Sequence, residues 1–401
     1  MRSIAKLMKD WQFTGPDGVT AAVALPHTWN AVDGMDGNGS YLRTTGVYTR
    51  TFTQPKQPLA GGRTYVEVLA AALAATVKVN GQVATTHEGG FSIFRADVTD
   101  LCHEGDNELT IDVSNEDTPS MYPASADFTF YGGIYRPVHL LVVPKAHFAL
   151  DYHGAPGLRV TPVLSANLKT AEIHAEAWVT GTAQSVQFTL GEETLSAAVT
   201  DGKAEGTFKL ENVHLWDGVN DPYLYKMQAT LDSGDAVEAN FGCRTIAFDA
   251  EKGFILNGRP YRLCGAARHQ DRQGLGNALT EKEHDEDMAL LREMGANTVR
   301  LAHYQHAQYF YDLCDKYGLV AWAEIPYITE HMPEGRANTL SQMTELVVQN
   351  YNHPSIVCWG LSNEITGSGK TEDLVENHKL LNDLCHKLDA TRPTTMAHIF
   401  M

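Results

Sequence analysis

The sequence predicts a multidomain chain that begins with a jelly-roll β-sandwich over residues 1–145 and an immunoglobulin-like β-sandwich over 146–248. An incomplete (β/α)8 TIM barrel of about five strands follows over 249–401. Three observations support this prediction. The chain has 401 residues, too many for one ordinary hydrophobic core. Short strand patterns fill the part before residue 249, and strand and helix patterns alternate after it.

The first predicted domain consists of short strands separated by turn residues. Asn80-Gly81 lies within an alternating apolar and polar segment, and this dipeptide is typical of a two-residue β-hairpin turn. We therefore expect antiparallel pairing. The predicted strands are residues 46–52, 63–70, 75–84, 107–114 and 136–143.

The second predicted domain is also all β. Its alternating segments are residues 171–181, 185–193 and 224–234. The length of this region suits an immunoglobulin-like sandwich, and it contains no motif that indicates chemistry.

The third predicted domain alternates strands with helices. Its first helix begins with a capping box formed by Thr280 and Glu283, places Leu290 and Met294 on one face, and ends at Gly295. A second helix ends at Gly318, with Phe310, Leu313, Cys314 and Tyr317 on one face. The predicted strands are residues 261–267, 297–302, 319–325, 356–361 and 394–399.

Polar residues follow the predicted barrel strands at their carboxyl ends, where barrel enzymes carry their active residues. Asn363-Glu364 ends an especially apolar strand, so a carboxyl group and an amide are delivered together to the barrel mouth. This is a suitable pair for a proton donor and a sugar-hydroxyl ligand. The other strand-end residues are Arg268-His269, His303-Tyr304, Glu324 and His398.

Composition restricts the ligands and the compartment. The formal net charge of -18, without a Lys/Arg stripe, argues against nucleic acid. No apolar run is long enough to span a bilayer, and the N-terminus lacks the apolar core of a signal peptide, so we expect a cytoplasmic protein without membrane contact. The six cysteines are scattered singly, which indicates free thiols.

Several longer segments carry a family resemblance. They are LPHTWN (25–30), HEGGFSIFRADVT (87–99), DFTFYGGIYRPV (127–138), LWDGVNDPYLY (215–225), FGCRT (241–245) and stretches of 253–367 that end in HPSIVCWGLSNEITG. In this order they resemble the sugar-binding, middle and catalytic domains of the β-galactosidases of glycoside hydrolase family 2. The resemblance covers essentially the whole chain.

The resemblance implies a retaining β-galactosidase mechanism in which Glu364 is the general acid/base and Asn363 binds the sugar 2-hydroxyl. It also implies that His269, Arg300 and His303 line the sugar site and that Asp127 reaches in from the first domain. Asn115 is a further candidate for substrate binding. Structural alternatives stay open: Glu364 as a helix cap, Arg300 as the ion-pair partner of Glu324, the histidines as buried core residues, and Asp127 as a turn former.

No cofactor is certain. Some family members bind Mg²⁺ or Na⁺ near the acid/base, and these ions are the candidates here. The adjacent Glu330-His331 departs from the metal-binding pattern, because neighbouring residues of an extended segment point to opposite faces. The metal site is therefore left unknown.

The family's nucleophile is a Glu at the end of the seventh barrel strand, in a Glu-Tyr-Gly-like setting, and no such motif follows Glu364. We therefore expect no measurable β-galactosidase activity from this chain alone. An open five-stranded barrel is expected to self-associate as a homo-oligomer or to need a complementing chain.

The expected ligand is a β-galactoside or a related carbohydrate. The sequences RHQD and LAHYQH favour a galactosidase. The alternatives are a β-glucuronidase or β-mannosidase of the same family, or a non-catalytic sugar-binding or assembly fragment.

Overall fold

The computed structural model describes residues 1–35, 37, 40–54, 61–365 and 371–398. Within these residues, two antiparallel sandwiches and a small sheet precede five parallel strands, which confirms the predicted fold class. None of the described helices has the length and apolarity that a membrane span requires. All six cysteines are free, and Cys264 is exposed.

The first domain is built from ten strands. They are β1 (Ser3–Lys6), β2 (Trp11–Thr14), β3 (Thr20–Val23), β4 (Thr45–Gln54), β5 (Arg63–Val68), β6 (Ala74–Val79), β7 (Gln82–Glu88), β8 (Phe94–Asp97), β9 (Gly105–Ser114) and β10 (Val138–Val143). The predicted hairpin within residues 75–84 is present as two antiparallel strands. Asn80 and Gly81 form its turn with φ of 52° and 78°, a conformation that favours these two residue types. A four-stranded sheet, ordered β1-β10-β5-β8, packs against a six-stranded sheet, ordered β3-β2-β4-β9-β6-β7.

The second domain is built from eight strands. They are β11 (His147–Phe148), β12 (Leu158–Leu164), β13 (Thr170–Thr180), β14 (Ser185–Leu190), β15 (Glu193–Ala198), β16 (Lys203–Glu211), β17 (Tyr225–Leu231) and β18 (Ala236–Phe241). Alternate residues of β13 are buried, as a sandwich strand with one solvent face requires. In one sheet β13 pairs with β11, β12 and β16, and the second sheet has the order β15-β14-β17-β18.

A three-stranded sheet lies across the second predicted boundary, at residues 248 and 249. It consists of β19 (Ile246–Asp249), β20 (Gly253–Leu256) and β21 (Arg259–Pro260). The transition to the barrel is thus a structured element, whereas the first predicted boundary lies between the end of β10 at Val143 and the start of β11 at His147.

The third domain has five parallel strands in sequential order with helices between them, as predicted. Along the chain the strands are β22 (Gly265–Arg268), β23 (Thr298–Leu301), β24 (Val320–Glu324), β25 (Ile356–Asn363) and β26 (Thr394–Ala397). The helices are α1 (Glu281–Glu293), α2 (Gln308–Tyr317), α3 (Arg336–Asn350) and α4 (Glu372–Leu388).

Local signals set the limits of the first two helices. The capping box of Thr280 and Glu283 is present at the start of α1, and Gly318 ends α2 with φ of 77°. The face of α1 that contains Leu290 and Met294 points to solvent, with these side chains 61% and 62% exposed. The core contact of α1 comes instead from the buried Met288 and Leu291.

Helix α3 joins the first domain to the barrel. Gln349 lies at the centre of this interface: its amide oxygen accepts from Ile93 N at 3.1 Å, and its amide nitrogen donates to Ile93 O at 2.9 Å and His153 O at 2.7 Å. Glu345 accepts from His87 Nε2 at 2.8 Å and from the Ser92 hydroxyl. These buried polar contacts fix the orientation of the first domain on the barrel.

We predict that Gln349→Ala lowers the free energy of unfolding by about 1–3 kcal/mol, because it leaves several buried backbone groups without partners. The measurement is urea unfolding followed by tryptophan fluorescence. Gln187→Ala, at an exposed position of β14, is the matched control and is expected to change stability by less than about 0.5 kcal/mol. Equal effects of the two substitutions would contradict the assigned role of Gln349.

Candidate active site

The carboxyl ends of β22 to β25 bring the predicted polar side chains together. Glu324 ends β24, Asn363 ends β25, and His269 and His303 follow β22 and β23. Because parallel neighbours end at the same edge of a sheet, residues more than ninety positions apart in sequence become neighbours here.

The Glu324 carboxylate is the centre of this cluster, and its side chain is fully buried. Oε2 accepts from Arg300 Nε at 3.1 Å, and Oε1 accepts from Arg300 Nη2 at 2.9 Å and from His303 Nδ1 at 2.7 Å. A buried carboxylate needs such compensation, so the expected Arg300–Glu324 ion pair is present.

Arg300 also fixes the amide of Asn363. Its Nη2 donates to Asn363 Oδ1 at 2.6 Å, and the Asn363 side chain is nearly completely buried. Because this bond assigns the oxygen of the amide, the other terminal atom is the nitrogen, which can donate to a ligand oxygen. Arg300 therefore acts on the predicted sugar site through its neighbours, in addition to forming the ion pair.

The two histidines face each other at the mouth, with ring centroids 5.1 Å apart. Nδ1 of His303 carries its hydrogen, because the carboxylate it contacts only accepts. Burial lowers the pKa of His269, and His303 lowers it further, so His269 is neutral at pH 7. The neutral imidazole of His269 has one donor and one acceptor nitrogen, which suits a sugar hydroxyl.

The first domain contributes Phe128, which the sequence analysis missed. Its ring lies 5.3 Å from that of His269 and 6.2 Å from that of His303. The neighbouring Asp127 is exposed, and its carboxylate is near enough to act on the pKa of His269. The loop around Asp127 thus lies at the barrel mouth, and a contact of Asp127 with a sugar stays a prediction. The only sequence signal for Phe128 was its place in the DFTFYGG motif.

Glu364 follows β25 directly and has φ of 53°, a left-handed conformation that is uncommon for a residue other than glycine. Its backbone N–H donates to Ala397 O at 3.0 Å, and its side chain is exposed. The left-handed conformation marks a sharp turn of the chain directly after β25. Such a backbone outlier is frequent at functional sites.

Asn115 forms hydrogen bonds within the first domain. Its amide nitrogen donates to Leu42 O at 3.0 Å and Phe130 O at 2.9 Å, and its amide oxygen accepts from Thr44 N at 2.8 Å. Both of its donor hydrogens are therefore used to hold backbone segments of the first domain together. Asn115 therefore positions the loop that contains Phe130, and its contact with substrate stays a prediction.

The residues considered for a metal do not form one site. His331 is buried between Tyr327 Oη, at 2.7 Å from Nδ1, and Asp373 Oδ2, at 2.5 Å from Nε2, whereas Glu330 is exposed. Asp312, Asp315 and His353 bring ligand atoms within 4.8 Å of one another. However, Asp315 is already bound to His353 Nδ1 at 2.6 Å and Ser355 N at 3.0 Å, which ties α2 to the start of β25.

Arg268 organises the layer of side chains behind the mouth. It is buried and donates to Asp287, to His306 Nδ1 at 3.0 Å and to His284 Nδ1 at 3.0 Å. Both histidines must be neutral to accept from a guanidinium. Burial, followed by the charge of Arg268, lowers the pKa of His284 to about 3, and the same causes hold that of His306 well below its ordinary value.

Comparison with known proteins shows matches in all three domains. Family models described as the sugar binding domain of glycosyl hydrolases family 2, as glycosyl hydrolases family 2, and as the TIM barrel domain of that family match residues 11–144, 156–244 and 249–399. A β-glucuronidase of Bacteroides fragilis is 37% identical over 98% of this chain and 60% of its own length.

Two solved structures are also similar. An FMN-binding β-glucuronidase from Facaelibacterium prausnitzii L2-6 has a TM-score of 0.96 and 53% identity over 99% of this chain. A putative β-galactosidase from Bacteroides fragilis has a TM-score of 0.93 and 34% identity over 100% of it. The chain spans 64% of the length of each of these two proteins. The chain belongs to glycosyl hydrolase family 2, a family of glycosidases.

We predict that His284→Asn makes stability less sensitive to acid. The folded pKa of about 3 lies below the unfolded value of 6.5, so the unfolded state binds an additional proton between these values and stability falls as the pH falls. Removing His284 should reduce the loss of unfolding free energy between pH 7.5 and pH 5 by about 2 kcal/mol.

Urea unfolding at the two pH values measures this difference. His174→Asn, at a half-buried position of β13, is the matched control for the removal of a histidine. An equal reduction of the acid-induced loss of unfolding free energy in both variants would show that the contact of His284 with Arg268 is not its cause.

Proposed function

We propose that this chain forms the acid/base side of a retaining β-glucuronidase site. The observation that carries the proposal is the buried Glu324–Arg300–Asn363 network, which holds an amide beside Glu364 at the end of a barrel strand. The names of the similar proteins favour β-glucuronidase, the alternative of the sequence analysis, over its leading β-galactosidase prediction.

The proposed chemistry uses the strand-end pair. Glu364 donates a proton to the glycosidic oxygen and later removes one from water, while Asn363 binds the 2-hydroxyl as charge develops at the anomeric carbon. Retention also needs a nucleophilic carboxylate about 5–5.5 Å from the acid/base. Glu324 is unsuited to this step, because both of its oxygens already accept hydrogen bonds from Arg300 or His303.

Substrate identity rests on the comparisons and not on a charge in the described site. A glucuronide carries a carboxylate that needs a cationic or hydrogen-bonding partner, and Arg300 is already paired with Glu324. The second candidate is β-galactoside hydrolysis, which the similarity to the putative β-galactosidase and the sequences RHQD and LAHYQH favour.

The substrate prediction is tested with 4-nitrophenyl β-D-glucuronide, β-D-galactoside and β-D-mannoside. The assay uses the chain by itself and the chain fused to the segment that the Facaelibacterium prausnitzii protein has beyond the matched region. We expect kcat/KM of the fusion to be higher for the glucuronide by about 100-fold or more, since a site that binds a polar group discriminates strongly against analogues without it. A preference for the galactoside would reverse the assignment.

Glu364→Gln in the same fusion tests the acid/base role. Turnover of an alkyl glucuronide should fall about 10²–10⁴-fold, while turnover of 2,4-dinitrophenyl glucuronide should fall much less, because its leaving group needs no proton. Glu293→Gln, an exposed position at the end of α1, is the matched control. Equal losses for both aglycones would exclude Glu364 as the proton donor.

A further inference from the structure

We propose that a groove between the second domain and the barrel binds a phosphate group, either as the free ion or as a phosphate monoester. The groove has a volume of about 230 Å³ and is lined by Phe241, Arg244, Thr245, Tyr351, Thr391 and Arg392, among others. It lies at the amino end of β25, about 20 Å along the strand from the candidate active site.

Arg244 offers an open edge of its guanidinium to this groove. Its Nε donates to Pro354 O, and its Nη2 donates to Ile356 O at 2.6 Å. These two bonds occupy one edge of the planar group. Nη1 has no hydrogen-bond partner among the described residues and is not a buried atom. The second edge can therefore bind two oxygens of a phosphate side by side.

The local charge also favours an anion. Arg392 Nε donates at 2.8 Å to the same Ile356 oxygen, so two guanidinium groups converge on one carbonyl. Two carboxylates, Asp389 and Asp315, act on Arg244. Asp389 is bound to Arg392 Nη1 at 2.7 Å and to Trp359 Nε1 at 2.9 Å, and Asp315 to His353 Nδ1 at 2.6 Å. Arg244 forms no ion pair within the part of the chain that the structure describes.

Burial and the charge of Arg392 lower the pKa of Arg244 to about 9, which reflects the unfavourable environment of this cation. A bound phosphate would supply the missing counter-charge. Because the whole chain has a net charge of -18, attraction must come from this local arrangement and not from the overall field. The guanidinium fork favours a phosphate over a spherical anion such as chloride.

The test measures labelling of arginines by phenylglyoxal in the unmodified chain, mapped by mass spectrometry. Inorganic phosphate should slow the labelling of Arg244 about tenfold at ten times its dissociation constant, and chloride at the same ionic strength should not. Arg262 is exposed and serves as the internal control. Labelling of Arg244 that ignores phosphate, or that responds equally to chloride, would overturn the proposal.

Variants provide a second readout. Phosphate should raise the midpoint of thermal unfolding of the wild type and of Arg262→Gln, but not of Arg244→Gln. Should Arg244→Gln fail to fold, the labelling of the wild type decides alone. Glycerol 3-phosphate distinguishes the two sources: protection by it and by phosphate indicates a site for monoesters, and protection by phosphate alone indicates a site for the free ion.

Discussion

The arrangement of side chains at the carboxyl end of the barrel strands depends on one buried charge, the carboxylate of Glu324. A carboxylate without water is strongly unfavourable unless hydrogen bonds and an opposite charge surround it, and Glu324 receives these from Arg300 and His303. The same arginine binds Asn363, so the position of the amide at the end of β25 is a consequence of the charge balance at the end of β24. The strands cannot shift relative to each other without exposing or unpairing this group.

The second constraint is the contact between the first domain and α3. Buried polar groups fill this interface, and Gln349 satisfies both the N–H and the C=O of Ile93. Polar interfaces of this kind require a defined geometry, because each donor has one suitable partner. The sandwich is consequently held at one orientation, with Phe128 over the two histidines of the barrel.

The sequence was sufficient for features that depend on neighbours along the chain. The Asn80-Gly81 turn, the capping box at Thr280 and the five strand-end positions are local patterns, and all were predicted. Features that depend on distant residues were missed or misassigned. The structural role of Asn115 in the first domain was missed because its backbone partners, 15 to 73 positions away, cannot be read from its neighbours. The solvent-facing position of Leu290 and Met294 on α1 could not be predicted either. An apolar pair at helical spacing does not reveal whether another element packs against it.

Phe128 has a further consequence for how such a pocket can change. Its loop is anchored in the sandwich by bonds such as those of Asn115 to Phe130 O, and the ring of Phe128 approaches the barrel. Insertions or exchanges in this loop would therefore alter the roof of the pocket while the barrel core and its strand-end chemistry remain as they are. New substrate preferences could arise by exchanging surface loops of the sandwich, without remodelling the catalytic domain.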